Sequence, residues 1–393
     1  MPLKNLVLNT LQPVAAATRP RGMVLVNGER AAGLVSFEVD NNSYFQADTF
    51  RVTLALSAQP ANRGFAFWAA QTSMKVELLA GYPANPDNFT KSDLKSWLTG
   101  WVDDIEVSPL QDEITITGRD MTALLIDKKP SHDYSVSGYQ DVKTGYTEMF
   151  SSEIAAHIAQ DAGLQSNVVR TPAIVGPMIG NVRKVLNDRG TLWDILTKLA
   201  QIEGYSVFVE GHTLHFIPRP DAESIAQYVL NYEPPCGRHA YTLANFTSIR
   251  LSRNLSVARG VKVTVQSFNQ KTGKAVSATA TRSHVKNTTT QGVGSTSLPP
   301  AEYFRVVPNL DHLQCQRLAN SILAEISHFE MNLEADIPAD NVLTSLTPVR
   351  LLGSGTDFDQ TYYPASIQRR YSLEDGYRMS LRARNVSPEM GFV

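Results

Sequence analysis

Three groups of residues have the types and spacing that chemistry would need. His212 and His215 form a His-x-x-His pair. On a helix such a pair could share a metal ion. On a strand, residues three apart point to opposite faces. The flanking stretches, Tyr205 to Glu210 and Thr213 to Ile217, alternate with period two, so the pair belongs to a hairpin and is read as structural. Asp103-Asp104, and Asp357 with Asp359, are paired carboxylates suited to acid–base work or to calcium. Neither lies in a calcium-loop pattern, and both read as turn or strand-edge residues. Gly353-Ser354-Gly355 lacks the third glycine of a dinucleotide fingerprint, and no long helix follows it. There is no Gly-x-Ser-x-Gly elbow and no Gly-Lys-Ser/Thr phosphate loop. No catalytic, cofactor-binding or metal residue is predicted, and the chain is expected not to be an enzyme.

Charge carries one local anomaly. The 36 basic and 38 acidic residues nearly cancel, so no global field draws the chain to nucleic acid or anionic lipid. From Asn269 to Ala301, however, there is no Asp or Glu, while Lys271, Lys274, Arg282 and Lys286 are present. Thr, Ser and Gly are frequent there. The segment reads as an exposed loop or long hairpin. It is either a solvated face or a contact for an acidic partner surface or for passing DNA.

The elements that would position these residues centre on Gly190 to Phe216. Leu192, Ile195, Leu196, Leu199 and Ile202 form one helical stripe. Thr191 and Asp194 make a capping-box pair, and Gly204 stands where a left-handed stop is needed. The hairpin follows, turning at Glu210-Gly211-His212. Before it, Glu153 to Ala162 reads as a helix capped by Ser151 or Ser152 and stopped by Gly163.

From Gly22 to about Asp127 the texture is β. Asn27-Gly28 predicts a type I′ hairpin turn. Val35, Phe37 and Val39 share one face, as do Phe50, Val52 and Leu54, and Asp120 caps a short helix. After Pro218-Arg219-Pro220 a polar bridge is expected, extending past Pro234-Pro235. Val261, Val263 and Val265 then begin a second β region, with a turn at Lys271 to Lys274. Asn309 caps a long helix with Cys315, Ala319 and Leu323 inside, and strands close the chain. The expected fold is mainly β with α+β. A β-barrel-like domain (1–128) precedes a helix–hairpin α+β domain (129–240). A second barrel (241–393) carries the basic loop 269–301 and a helix over 309–328.

Two cysteines, Cys236 and Cys315, fit no disulfide framework and suit folding in a reducing compartment. The N-terminal apolar run is broken by Asn9, Gln12 and Pro13, so a signal peptide is not expected.

Several of these pieces resemble one family in order and spacing. Thr117-Gly118-Arg119-Asp120 with Leu124-Leu125-Ile126-Asp127 resembles the end of the first barrel in Mu-like baseplate hub proteins of contractile phage tails. The helix–hairpin unit is similar to their middle domain and to the matching part of type VI secretion spike proteins. Arg259-Gly260-Val261-Lys262-Val263 resembles the start of their second barrel, and Leu351 to Gly355 with Met379-Ser380-Leu381 their C-terminal part. The chain departs from the secretion spikes in having no fused β-helical needle before Val393. The resemblance implies a homotrimeric ring in the virion baseplate, made in the host cytoplasm. It would join the tail tube or tape-measure protein to a trimeric spike and let DNA through its lumen, with no cofactor, no catalytic residues and no stable membrane association. The alternative is a glycan-binding or carbohydrate-active β-module protein of a tail.

Overall fold

A computed structural model describes residues 6–7, 19–43, 45–130, 150–171, 190–222, 224–236, 239–269, 273–282, 299–307, 310 and 312–385. Besides the two-residue strands Leu6–Val7 and Glu29–Arg30, six longer strands come first: β1 (Arg21–Val26), β2 (Leu34–Asn42), β3 (Thr49–Ala55), β4 (Lys75–Gly81), β5 (Lys95–Ser108) and β6 (Glu113–Asp120). They lie in the order β1-β4-β5-β6-β3-β2. Asn27 and Gly28 both have positive φ, as the turn after β1 requires. Phe50, Val52 and Leu54 are buried together, as alternation predicts.

Val35 corrects the expected pattern. It is exposed, while Phe37 and Val39 are buried. The register between β2 and β3 slips between Leu34 and Ser36, and the bulge turns Val35 out of phase.

The first small α+β unit holds α1 (Ser151–Asp161), β7 (Gln165–Val168), α2 (Leu192–Glu203), β8 (Tyr205–Glu210) and β9 (Thr213–Pro218). Thr191 N donates to Asp194 Oδ2 at 2.7 Å, and Asp194 N donates back to Thr191 Oγ1 at 3.2 Å. Gly204 ends α2 in the left-handed region. Leu192, Ile195, Leu196 and Leu199 are buried against Leu214 and Phe216 of the hairpin. The cap of α1 differs from expectation. Glu153 accepts from Phe150 N at 3.1 Å, while the Ser151 hydroxyl is drawn to Glu203 at 2.6 Å.

The expected polar bridge contains a strand, β10 (Gln227–Glu233), with Tyr228, Val229 and Leu230 all buried. Covered on both faces, it shows a short apolar run in place of alternation. With β11 (Ser248–Arg253) it opens a second set. The strand beginning at Val261 does not. Instead β12 (Val261–Asn269), β13 (Lys274–Arg282) and β14 (Ala301–Val306) form their own sheet beneath helix α3 (His312–Ser327). Val261, Val263, Val265, Cys315 and Ala319 make its separate core. The second set resumes with β15 (Met331–Pro338), β16 (Val349–Leu352), β17 (Thr361–Ser372) and β18 (Gly376–Asn385). Its order is β10-β16-β17-β18-β15-β11.

Numbered by their own appearance in the chain, both sets read first, fourth, fifth, sixth, third, second. Both carry a bulge in the same place, where the fifth strand meets the sixth: at Val102/Asp104 in one and at Pro364/Ser366 in the other. They differ in the first–fourth pair, antiparallel in the first set and parallel in the second. Strand β2 pairs antiparallel with the C-terminal half of β17, so the two sets form one sheet and share one core.

Candidate functional site: assembly surfaces

The junction between the sets is a buried polar seam within an apolar core. β17 places Arg369 there, fully buried. Its Nη1 donates to Asn41 Oδ1 at 2.7 Å and its Nη2 to the Leu343 carbonyl at 2.5 Å. The amide of Asn41 donates to Asp48 Oδ2 at 2.7 Å, and Asn42 N to Asp48 Oδ1 at 2.7 Å. Removal from water pushes the Asp48 carboxyl up to about 6. Burial, then the nearby Asp48 charge, raises Asp120 as well. Phe37 of β2 stacks on Tyr371 of β17 with centroids 5.5 Å apart. Around the solvent face, Arg370 Nε donates to Glu38 Oε2 at 2.9 Å, and the Gln368 amide donates to the same carboxylate.

Several of the residues singled out for chemistry are held in structural contacts, while Asp104 and His212 are exposed. Asp103 pairs with Arg119 at 2.7 Å. Asp357 pairs with Arg253 at 3.3 Å, and Asp359 accepts from Ser354 N and Gly355 N at 2.9 and 2.8 Å. The His215 ring stacks on Phe208 with centroids 4.7 Å apart.

The basic segment divides. Lys274 is exposed beside the hairpin tip, but β13 buries Ala278 and Ala280 in the core. Arg282 corrects the expectation of an exposed contact: it is buried, with Nη2 3.0 Å from Glu330 Oε2. An arginine at the end of an alternating strand follows the inward phase set by Ala278 and Ala280, and a buried carboxylate meets it. Lys271, Lys286 and the cap Asn309 lie outside the described residues.

Two features were not legible beforehand. Glu233, Cys236 and His239 bring one donor atom each to within 4.8 Å of one another and could hold a metal. The Cys-x-x-His spacing was the signal for it. The second feature is a pair of strand edges. Among the described residues, β11 pairs only with β15, and β5 beyond Val102 pairs only with β6. No helix among the described residues is long and apolar enough to cross a membrane.

No protein-family model matches the chain, and no curated protein matches it in sequence. Solved structures do match in fold. The tail protein from Neisseria meningitidis MC58 has a TM-score of 0.62 at 15% identity, over 93% of this chain and 96% of that one. The 43 kDa tail protein of prophage MuSo2 from Shewanella oneidensis gives 0.59 at 14%, over 92% and 97%. The prophage tail protein gp18 from Listeria monocytogenes EGD-e gives 0.52 at 9%, over 93% and 95%. The resemblance read from the motifs and the likeness in three dimensions agree: this chain has the fold of phage tail proteins.

Proposed function

We propose that the chain is a structural hub of a contractile phage-tail baseplate, a homotrimer that adapts a sixfold tail tube to a threefold spike. The observation that carries this is the repetition of one strand order in two sets joined side by side within one sheet. A threefold object meets a sixfold face only if each chain supplies two equivalent patches. Two strand sets per chain supply them, and three chains give six. The two α+β units are unlike the sets and leave the opposite side threefold. On the solvent face of the joined sets, Asp40, Arg250, Glu334, Gln368 and Arg382 line a polar trough suited to a lumen through which DNA passes. Its mixed charge avoids a basic surface that would hold the DNA.

In this reading the protein is not an enzyme. It acts in the virion tail, after synthesis in the host cytoplasm, beside a spike and a tube or tape-measure protein. Lys271, Lys274 and Lys286 form its basic contact, without Arg282. Sedimentation equilibrium tests the proposal. The expected mass is three times the 43.3 kDa chain. A single-chain mass at every accessible concentration, or a stable dimer, overturns it.

A further inference from the structure

The junction inside the chain predicts the junction between chains. Within the chain, the second strand of the first set, β2, adds to the C-terminal half of the fifth strand of the second set, β17. The corresponding half of the first set's fifth strand, Asp103 to Ser108 of β5, has that same edge unpaired among the described residues. So does the second strand of the second set, β11. We propose that β11 of one copy adds antiparallel to Asp103–Ser108 of the next copy, closing the ring. This rests on the trimeric hub reading and specifies its interface.

Register follows from the shared bulge. Asp104 opposes Thr117, and Ser366 opposes Arg382, directly after it. Stepping across from Thr117 leads to Arg51 and then Glu38. The same steps from Arg382 lead to Glu334 and then Arg250. Arg250 is therefore the counterpart of Glu38. Glu38 stands opposite Arg370, four residues beyond Ser366. Arg250 accordingly stands opposite Ser108, four residues beyond Asp104, and Ser252 opposite Glu106. Gln368, the counterpart of Glu106, reaches diagonally to Glu38 within the chain. Across the new junction the same diagonal joins Glu106 to Arg250. The inward faces agree too. Ile105 and Val107, like Ile249 and Leu251, are only partly buried at the margin of the core, and pairing would cover them.

The charges are reversed between the two junctions, and this fixes the sequence of sets around the ring. Inside the chain the cation, Arg370, lies on the fifth strand and the anion, Glu38, on the second. Between chains the anions, exposed Asp104 and Glu106, lie on the fifth strand and the exposed cation, Arg250, on the second. A first set docked on another first set would bring Asp40 directly opposite Glu106, with Glu38 diagonal to it. A second set docked on another second set would bring Arg250 against Arg370. Like charges opposed across a strand pair disfavour both. Only alternation of first and second sets satisfies every junction. A free strand edge also invites uncontrolled pairing, and closure removes it.

The test uses the full chain with Cys236 and Cys315 changed to Ser. Glu106→Cys with Ser252→Cys places the new thiols directly opposite each other across the proposed junction. Oxidation is expected to yield a covalent trimer, since each junction joins a different pair of chains. Arg250→Glu is expected to weaken association about tenfold or more, and Glu106→Arg added to it to restore association. At concentrations too low for association, each variant's melting transition should match that of the parent, because the substituted positions are exposed. A trimer that forms without cross-linking and ignores Arg250→Glu overturns this pairing and leaves the hub reading standing. A chain that is monomeric throughout overturns the hub reading itself.

A separate cluster carries an independent inference. The geometry points to a divalent transition-metal site made by Glu233, Cys236 and His239. Cys236 Sγ lies 3.4 Å from His239 Nε2, which lies 3.1 Å from Glu233 Oε1. Tetrahedral zinc with ligands at about 2.0–2.3 Å holds donor atoms about 3.4–3.6 Å apart. His239 Nδ1 is 2.6 Å from the Tyr241 carbonyl, which fixes the ring with Nε2 toward the other donors. Cys236 and His239 face each other in a tight antiparallel bridge, so the two donors are set by the backbone. A thiolate, an imidazole and one carboxylate select zinc-like ions over magnesium or calcium, with a fourth position left open. Cobalt(II) added to metal-free protein should give a thiolate-to-cobalt charge-transfer absorption, saturating at one equivalent and displaced by zinc. Cys236→Ser and His239→Ala should abolish it, and Cys315→Ser should keep it. Absence of the absorption in the parent, or its survival in Cys236→Ser, overturns the site.

Discussion

The guanidinium of Arg369 lies 3.5 Å from the centroid of the Trp97 ring. Arg369 belongs to the second strand set and Trp97 to the first, so a buried cation on an indole face joins the two halves of the sheet. Such a cation is retained only where its desolvation is offset. The indole face, Asn41 and the Leu343 carbonyl supply that offset. Arg369→Ala removes the partner of all three and is expected to cost about 3–5 kcal/mol, measured by urea unfolding. The loss should appear in a single transition, because both sets share one core. A cost below about 1 kcal/mol would show that the seam holds without it.

Asp48 gives the seam a pH dependence. Its folded carboxyl titrates near 6, raised chiefly by burial, whereas an unfolded Asp titrates near 3.9. The folded state thus favours the protonated form. Its contribution is full below about pH 4 and is lost as pH rises through 6. Asp48→Asn should therefore gain on the parent by up to about 2–3 kcal/mol between pH 4 and pH 7. Parallel denaturation curves for parent and variant at the two pH values would contradict this.

His328 acts in the opposite direction. Burial, reinforced by Arg219, Arg384 and Arg282, lowers its pKa to about 4, and its Nδ1 donates to the Asn385 carbonyl at 2.7 Å. The folded state favours the neutral ring. Its contribution is present above about pH 6.5 and is lost as pH falls toward 4, by up to about 3 kcal/mol. His328→Gln keeps a donor without the titration. Its melting temperature should fall less than the parent's over that interval.

Arg282 and Lys274 separate core from contact. Arg282→Ser strands the buried carboxylate of Glu330, with Arg253 as its remaining partner at 2.9 Å. A loss of about 2–4 kcal/mol is expected. Lys274→Ser, on an exposed side chain, should change stability by less than about 0.5 kcal/mol. If the two substitutions cost the same in thermal unfolding, the assignment of Arg282 to the core is wrong.

Gly353 is required by its neighbour as well as its backbone. At φ +95°, a Cβ there would lie 1.9 Å from the Tyr232 carbonyl oxygen of β10. Gly353→Ala should cost well over 2 kcal/mol, because backbone must move. Gly355, at φ +67° in open space, should cost only about 1 kcal/mol on the same change. Equal shifts in melting temperature would rule out the steric part.

What the sequence determined by itself was local. The Thr191–Asp194 cap, the stop at Gly204, the turn at Asn27-Gly28 and the alternation from Phe50 to Leu54 all arise between residues a few positions apart. Each stands in the structure where its pattern put it. What the tertiary structure decided was partnership. Val261 to Val265 alternate cleanly whichever sheet receives them, so their place in a separate sheet was invisible. Tyr228 to Leu230 lost alternation because both faces are covered. Arg282 reads as surface by type, and only Glu330, 48 residues away, makes it core. The Glu233–Cys236–His239 cluster is local in spacing, but its donors converge only because the backbones of Cys236 and His239 pair in a bridge. The repeat of strand order has no sequence repeat behind it. A sheet fixes which face is apolar and where the backbone bonds, and many side chains meet those two demands equally well.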